Sequence, residues 1–576
     1  MLKLSGHSAG GGLVLGRACV LESGLIDVPR YHVTAETVEA EIERMTQAGI
    51  AVNDELQAVA EQLPEDAPAE AKALLDVQLM LLHDSALFEA ACDKVRSSLI
   101  NVEWAISEMA EELAAQFRAI EDPYLKERGR DVEQVAERVL KALAGSQLSV
   151  IPPASDESLI FVAQDLQPAD MLQLKGARGF VFERGGTHSH SAILARSLNV
   201  PAVVGVPGVA QHVQDGDFLI LDGDNGEIIV APDEAVLRRY RDRLRQVAEE
   251  AERLSRLVDV PCVTRDGCAV TLAANIEQPE EAHEALRRGA EAIGLFRSEF
   301  LFLNRSQLPN EEEQYRAYRE ALLAMQGRPV TVRTIDVGAD KVLPAQALIP
   351  ADASVLGRRA IRFSLAEPEI FLVQLRALLR ASAHGPLRIM LPMLSQPLEV
   401  DAALTLLAQA RDQLRGRGER IADHVPVGGM IEVPAAALSA GTFARKLAFL
   451  SIGTNDLVQY TLAIDRTDNR IAHLYDEFHP AVLRLIALTI RAARKAGVPV
   501  GVCGEMAGDT QATRLLLGMG LRSFSMSPAR LLRVKRLVLD TDAQALVAQV
   551  RRLLVQDDQA IVRAGLAALG AGGQTS

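Results

Sequence analysis

The chain has 576 residues, of which 61 are basic and 76 acidic, so its formal net charge is −15, and 48% of its residues are hydrophobic. This length is too great for one hydrophobic core, and about three or four domains are expected. The acidic balance argues against nucleic acid as a partner and favours a basic protein partner.

Cysteine usage and targeting signals bear on the compartment. The five cysteines are scattered with no C-x-x-C pair, which argues against a disulfide framework or a zinc site and favours a reducing compartment. The sequence has no signal peptide and no apolar run of about 18 residues. We therefore expect a cytoplasmic protein that does not insert into the membrane.

A glycine-rich stretch at residues 10–16 is of the kind that can cradle a phosphate. A dinucleotide site would need a strand before such a stretch and a helix opening from it. Residues 13–21 instead have a strand-like pattern. We therefore predict a strand here and not a nucleotide site.

Residues 33–145 have a helical pattern. Apolar residues recur there at alternating steps of four and three, as in a packing seam between helices. A second helix is predicted over 74–82, a third after a cap at Asn101, and a fourth from Asp122 and Pro123, an N-cap followed by proline. Four helices with short connections predict an antiparallel bundle.

Residues 148–230 alternate short strands with helices and predict a compact α/β domain. We expect the strand at the start of the chain to complete this domain, which makes the helical bundle an insertion in it. The strongly charged residues 232–258 predict a linker helix between two moving halves, with an ordinary surface helix as the alternative.

A histidine-containing loop in this α/β domain connects a short apolar strand, 179–182, to a predicted helix. Gly185 and Gly186 allow a sharp turn, and His188 and His190 follow. A helix start has unpaired N–H groups and favours negative charge. An imidazole there could attack phosphorus, and the phosphate would rest on the helix end. The alternative is a polar N-cap loop with two ordinary surface histidines.

The rest of the chain alternates apolar strands with helices and predicts a closed (β/α)₈ barrel of the TIM type. The predicted strands are 270–276, 292–296, 330–335, 387–392, 427–433, 448–452, 498–502 and 521–524. Functional residues of such barrels lie at the carboxyl ends of the strands. The residues selected by this rule are Arg297, Arg333, Glu432, Asn455, Asp456 and Cys503.

These residue types suit a small anion and a metal ion. Arg297 and Arg333 would repel each other without an anion and suit bidentate binding of phosphate and carboxylate. Glu432 and Asp456 offer the hard oxygens that Mg²⁺ prefers. A thiol at Cys503, near metal and arginines, could be acidified and shuttle a proton. The alternative for Cys503 alone is a small buried hydrophobe.

The loop from Gly185 to Ser197 resembles the phosphohistidine loop of enzyme I of the bacterial sugar phosphotransferase system, whose pattern is Gly-Gly-x-Thr-Ser-His. The same loop occurs in pyruvate phosphate dikinase and phosphoenolpyruvate synthase. The resemblance implies that His190 is the phosphorylated histidine. His188 and Gln167 stand where the family usually has Thr, and both depart from the pattern.

The second half resembles the phosphoenolpyruvate-binding barrel of the same family. The matching segments are 293–302 (IGLFRSEFLF), 332–336 (VRTID), 429–434 (GMIEVP), 451–457 (SIGTNDL) and 459–466 (QYTLAIDR). The residues implied to bind phosphoenolpyruvate are Arg297, Arg333, Asn455, Asp456 and Arg466. Glu432 and Asp456 are implied to hold Mg²⁺, and Cys503 to donate a proton to the enolate. The departures beside the substrate region are Ala339, Ala353 and Ser354.

The resemblance implies a phosphoenolpyruvate–protein phosphotransferase. Phosphate would pass from phosphoenolpyruvate to His190 and then to a histidine of a small phosphocarrier protein, releasing pyruvate, as the first step of sugar uptake. A swivelling phosphohistidine domain and a homodimer through the barrel are also implied. The domains would be 1–32 and 146–231 (phosphohistidine α/β domain), 33–145 (inserted carrier-binding bundle), 232–260 (linker helix) and 261–576 (phosphoenolpyruvate-binding barrel).

Other functions share parts of this pattern. A dikinase would need an ATP-binding domain of a couple of hundred residues, for which no stretch is free. A catalytically silent scaffold would be expected to lack His190 or a metal carboxylate, and both are present. A barrel lyase acting on pyruvate-like acids would not need the phosphohistidine domain. A nitrogen-linked regulatory paralogue stays open beside the sugar branch.

Overall fold

The computed structural model describes residues 1–21, 28–62, 77–82, 87–119, 123–144, 158–166, 171, 174, 177–186, 189–198, 200–302, 307–337, 356–465 and 471–571. The chain divides into two units, Met1–Val247 and Ala248–Ser576. None of the described helices is long and apolar enough to cross a membrane.

The first unit is built on a mixed β-sheet. Its described strands are β1 Leu2–Ser5, β2 His7–Gly10, β3 Leu13–Leu21, β4 Leu159–Ala163, β5 Ala177–Phe182, β6 Ala202–Val204, β7 Phe218–Asp222 and β8 Glu227–Val230. They pair in the order β1-β8-β7-β3-β4-β5-β6-β2. β3 and β4 are parallel neighbours, although a run of helices separates them in sequence. The helices are therefore an insertion in the α/β domain, as predicted.

The inserted helices share one apolar core. They are α1 Val38–Gln62, α2 Phe88–Ser98, α3 Val102–Ala119 and α4 Pro123–Leu143, with a further helical stretch at 77–82. The predicted seam is buried in α1, where Met45, Val52 and Leu56 face this core. The apolar pattern of the sequence does not predict α2, because only Ala91 and Val95 are buried along it.

The side chain of Asn101 does not cap the start of α3, although the sequence predicts that it does. Asn101 precedes the helix, but its side-chain oxygen accepts a hydrogen bond from the backbone N–H of Tyr31 at 3.0 Å. The carboxylate of Glu41, on α1, accepts from the backbone N–H of Val102 at 3.2 Å instead. The backbone N–H of Val102 is thus satisfied by a side chain of another helix. A local sequence pattern does not reveal such a partner.

Two further helices, α5 His190–Ser197 and α6 Val209–His212, lie in the first unit. A third, α7 Glu234–Ser255, begins in the first unit and ends in the second. α7 is the predicted linker helix. Its Tyr240 is buried against Ile220 and Ile229, and its Arg243 donates to the buried carboxylate of Asp222. The boundary between the two units falls within α7.

The second unit is a closed barrel of parallel strands in the described part of the chain. Its strands are β9 Thr271–Ile276, β10 Ala292–Arg297, β11 Val330–Arg333, β12 Leu387–Leu391, β13 Val427–Ile431, β14 Phe449–Ile452, β15 Val500–Val502 and β16 Ser523–Met526. Each predicted strand is present within two residues at either end. β16 pairs with β9 and closes the barrel, which confirms the predicted TIM-type fold.

Helices surround the barrel. They are α8 Glu281–Arg287, α9 Glu311–Ala324, α10 Ala360–Ala366, α11 Pro368–Ala381, α12 Pro397–Gly416, α13 Pro434–Leu438, α14 Ala440–Ala444, α15 Thr454–Leu462, α16 Pro480–Ala496, α17 Thr510–Met519, α18 Leu531–Leu539, α19 Ala543–Leu554 and α20 Gln559–Ala571. A large apolar core lies between strands and helices. A 3₁₀ turn, Ser298–Leu301, follows β10 directly and contributes to the barrel mouth.

Candidate active site

The loop between β5 and α5 places His190 at a helix start. α5 begins at His190 itself, and Ser189 is its N-cap, since Ser189 Oγ accepts a hydrogen bond from the N–H of Ala192 at 3.3 Å. Gly185 has φ +100°, and a Cβ there would lie 2.9 Å from Ser189 Oγ. The turn before the cap therefore requires glycine.

Ser191 anchors this helix start to the segment after β4. Its buried hydroxyl donates to Asp165 Oδ1 at 2.8 Å, and it lies 3.3 Å from the carbonyl oxygen of Leu166. The backbone that carries His190 is thus held on both sides, by Ser189 and by Ser191. In and beside this loop, the imidazole of His190 and the residues His188 and Gln167 lie outside the described residues.

Arg333 ends β11 and is buried at the barrel mouth. Its Nη2 donates to the carboxylate of Glu299, and its Nη1 lies 3.0 Å from Asp336 Oδ2. Both carboxylates are buried as well. Burial lowers the pKa of Arg333, but these two charges raise it more, so the net shift is upward and the guanidinium stays charged.

Arg297 ends β10 and donates to the carboxylate of Glu277. The like charges of Arg297 and Arg333 predict mutual repulsion until an anion binds. That expectation is wrong in one respect, because Glu277, Glu299 and Asp336 compensate the arginine charges within the protein itself. An incoming anion would therefore join existing ion pairs.

A third arginine, Arg359, belongs to the same network. It is 5% exposed, and its Nη2 donates to Asp336 Oδ1 at 2.9 Å. Its Nη1 reaches the hydroxyl of Tyr460 at 3.3 Å and Asp456 at 4.0 Å. Arg359 is not among the predicted site residues, because it precedes a helix, α10, and does not end a strand. Arg359 therefore connects the arginine pairs to the predicted metal carboxylate.

Glu432 directly follows β13 and is 1% exposed. Its Oε1 accepts a hydrogen bond from the N–H of Met393 at 2.6 Å. Burial, with the negative charges of Asp456 and Asp336, raises the pKa of Glu432 to about 8. A cation between these carboxylates would relieve that repulsion, so the donor set fits a divalent metal. Among the described residues no three acidic, cysteine or histidine side chains form a metal site by themselves, so further oxygens would have to come from substrate or water.

Cys503 directly follows β15 and points into the barrel. Its side chain is 2% exposed and packs with Leu295, Met390 and Met430. Burial raises the pKa of this thiol to about 11. An acidified thiol beside a bound metal ion stays a prediction; burial by itself favours the protonated thiol, which is the state that a proton donor needs.

Asn455 ties the first turn of α15 to the loop after β15. Its Oδ1 accepts from the N–H of Glu505 at 2.8 Å, and its carbonyl oxygen accepts from the hydroxyl of Tyr475 at 3.2 Å. These two hydrogen bonds hold Asn455 in place at the barrel mouth. Arg466 lies outside the described residues.

Comparisons with known proteins cover nearly the whole chain. Family models match three successive parts: PEP-utilising enzyme, N-terminal, over 5–128; the mobile domain over 155–226; and the PEP-binding domain over 251–543. A phosphoenolpyruvate-protein phosphotransferase of Cupriavidus necator is 52% identical and covers 96% of each chain. The chain belongs to the phosphoenolpyruvate-protein phosphotransferase family. Similar members from Geobacillus stearothermophilus and Bacillus subtilis are 42% and 40% identical over 92% of this chain, covering 91% and 93% of the relatives.

The phosphoenolpyruvate-protein phosphotransferase fold agrees with the geometry described above. The match to the PEP-binding domain includes all the described barrel strands and the groups at their carboxyl ends. The match to the mobile domain includes the loop before α5. The chain is therefore a transferase. The loop that carries His190 and the charged groups at the barrel mouth lie in separate matched domains.

Proposed function

We propose that this phosphotransferase moves phosphate from phosphoenolpyruvate to Nε2 of His190 and from there to a histidine of a small phosphocarrier protein. Pyruvate is released, and the reaction is the first step of sugar uptake. The observation that carries the proposal is the barrel mouth, where arginines, two carboxylates and a buried thiol lie at or just past the carboxyl ends of barrel strands.

Substrate binding is assigned to the cations at the mouth. Phosphoenolpyruvate carries a phosphate and a carboxylate, and each suits the two parallel N–H donors of a guanidinium. Arg297, Arg333 and Arg466 are the proposed contacts, with Asn455 and Asp456 beside them. Because Arg333 is already fixed by two carboxylates, its donors are oriented before the substrate arrives, which lowers the entropy cost of binding.

The metal is proposed to be Mg²⁺, held by Glu432 and Asp456 together with substrate and water oxygens. When bound, the ion polarises the phosphoryl oxygens and stabilises the charge that develops there. The raised pKa of Glu432 means that a proton must leave before the carboxylate can bind a cation. Acid should therefore weaken binding of the ion.

Phosphoryl transfer then requires a nucleophile and a proton donor. His190 Nε2 attacks phosphorus in line, the bond from phosphorus to the enol oxygen breaks, and its electron pair stays on the enolate. The fixed guanidinium groups stabilise the charge spread over the phosphoryl oxygens. The enolate carbon takes the proton of the Cys503 thiol and becomes pyruvate, and solvent then returns a proton to the thiolate.

The carrier and the assembly are also part of the proposal. Residues 33–145 would dock the phosphocarrier protein, and residues 1–32 with 146–231 would swivel on the linker 232–260 to deliver the phosphate. Residues 261–576 would pair two copies into a homodimer. The net charge of −15 supports a basic carrier surface.

Labelling with radioactive phosphoenolpyruvate tests the nucleophile. His190→Ala should abolish the label, whereas His188→Ala, the matched control two residues away, should retain it. The label should be acid-labile, as a phosphoramidate is, and should pass to an added histidine phosphocarrier protein. Full labelling of the His190→Ala variant would show that the assignment is wrong, and labelling from ATP would indicate a dikinase instead.

A further inference from the structure

A buried glutamine, Gln374, lies on the apolar face of α11. It is 1% exposed, and its helical neighbours Phe371, Leu375 and Leu378 are buried core residues. Placing an amide in such a position is unfavourable unless hydrogen bonds replace those lost to water. The side chain of Gln374 therefore needs polar partners from other elements.

Those partners lie just past β11, just past β10 and on α9. Gln374 Nε2 donates to Ser298 Oγ at 3.0 Å and to the hydroxyl of Tyr318 at 3.1 Å. Gln374 Oε1 accepts from the backbone N–H of Ile335 at 3.0 Å. One amide thus connects a 3₁₀ turn, a helix of the outer layer and the chain just past a barrel strand.

Ser298 extends this connection to the backbone of Arg333. Its hydroxyl, which accepts from Gln374, donates to the carbonyl oxygen of Arg333 at 2.6 Å. The residue after Ser298 is Glu299, and the residue after Ile335 is Asp336. Gln374 and Ser298 together therefore hold the backbone beside Arg333 and beside both carboxylates that fix its guanidinium.

We infer that Gln374 is a positioning residue for phosphoenolpyruvate binding, acting through Arg333. The inference rests on the proposed function, in which Arg333 contacts the substrate. β11 ends at Arg333; past it the N–H of Thr334 still donates to the carbonyl of Met390 at 3.0 Å, whereas the N–H of Ile335 donates to the side chain of Gln374. A displacement of about 1 Å in a substrate-orienting group can cost about a hundredfold in rate, so small shifts in this segment matter.

Gln374→Leu tests the inference with Gln314→Leu as its matched control. Gln314 is also 1% exposed and lies on α9, where its side chain contacts the same Tyr318 hydroxyl at 3.3 Å and the carbonyl of Pro309 at 3.0 Å. Both variants lose a buried amide and a bond to Tyr318. Gln374→Leu alone also loses the contacts to Ser298 and Ile335.

The measurements are the KM for phosphoenolpyruvate in His190 labelling, the extent of labelling at saturation, and the thermal midpoint. We expect Gln374→Leu to raise KM about tenfold or more, with full labelling at saturating substrate. Gln314→Leu should lower the midpoint similarly and leave KM within about twofold of the wild-type value. A KM that is unchanged in Gln374→Leu, or raised equally in Gln314→Leu, overturns the inference.

Three further variants keep the outcomes distinct. Arg333→Lys should raise KM strongly; if it does not, the proposed substrate site is wrong. If Arg333→Lys raises KM and Gln374→Leu does not, the proposed function stands and the inference fails. In the double variant the two effects should combine to less than their product, because both act through one guanidinium. Should Gln374→Leu not fold, Ser298→Ala removes the bond to the Arg333 carbonyl together with the bond from Gln374 Nε2, and it must raise KM for the inference to hold.

Discussion

The shared carboxylate of Asp336 offers a sharp test of charge compensation at the barrel mouth. Asp336 is 2% exposed and pairs with Arg333 at 3.0 Å and Arg359 at 2.9 Å. Asp336→Asn keeps the shape of the side chain and removes its charge. Two buried guanidinium groups then lose the anion that they share.

Removing one partner of a buried ion pair costs about 3–5 kcal/mol. Glu299 still pairs with Arg333, and Asp456 lies 4.0 Å from Arg359, so compensation is only partly lost. We therefore expect the barrel to lose about 3 kcal/mol of unfolding free energy, at the low end of that range. Saturating phosphoenolpyruvate should restore part of this loss, because its anionic oxygens replace the missing charge.

Unfolding should be followed by two probes, because a chain of several domains does not unfold in one step. The single tryptophan of the sequence, Trp104, lies in α3, so its fluorescence reports on the first unit. Circular dichroism reports on both units. The variant should shift the dichroism transition of the barrel and leave the Trp104 transition unchanged.

Glu311→Gln is the matched control. Glu311 pairs with Arg376 at 2.6 Å and Arg380 at 3.2 Å, both on α11. Its loss should destabilise the barrel without changing the shift that phosphoenolpyruvate produces. Equal ligand-induced shifts in wild type and Asp336→Asn, or an unchanged stability of Asp336→Asn, would refute the reasoning.

The remaining predictions concern the metal, the proton donor, the half-buried carboxyl group of Glu477 and the separate halves. Glu432→Ala and Asp456→Ala should each lose labelling by phosphoenolpyruvate while staying folded by circular dichroism; normal Mg²⁺-dependent turnover in either would contradict the metal site. Cys503→Ala should still form phosphohistidine but slow the appearance of pyruvate. Because the Cys503 pKa is about 11, the wild-type rate should show no thiol ionisation between about pH 6 and 9. Burial and neighbouring carboxylates raise the pKa of Glu477 from 4.5 to about 7, so the native state is penalised increasingly as pH rises from 4.5 to 7. Glu477→Gln should therefore stabilise the barrel by about 1–2 kcal/mol at pH 8 and leave it unchanged at pH 4; an equal gain at both values would contradict this. A fragment ending near residue 258 should accept phosphate from a phosphorylated carrier and not from phosphoenolpyruvate. Labelling of this fragment by phosphoenolpyruvate would show that the substrate site does not belong to the barrel.

Local sequence patterns are sufficient for much of this protein. The apolar runs that become β9 to β16 are recognisable because a strand buried on both faces needs continuous hydrophobic residues. The glycines before His190 predict a turn into a helix for reasons that lie within a few residues. The insertion of the bundle follows from the same local patterns, since strands on both sides of it need one another to form a sheet.

Only the tertiary structure shows how the charges at the mouth are compensated and how the arginines are held. The pairs of Arg333 with Glu299 and of Arg359 with Asp336 join segments that no periodicity connects, and Gln374 reaches Ile335 across 39 positions. The raised pKa of the Cys503 thiol likewise depends on burial inside a closed barrel, which a single cysteine in a sequence does not reveal. Hydrophobic patterning is local because each strand or helix has its own repeat, whereas the pKa of a group and the partner of a buried charge are set by whatever the fold places within a few ångströms.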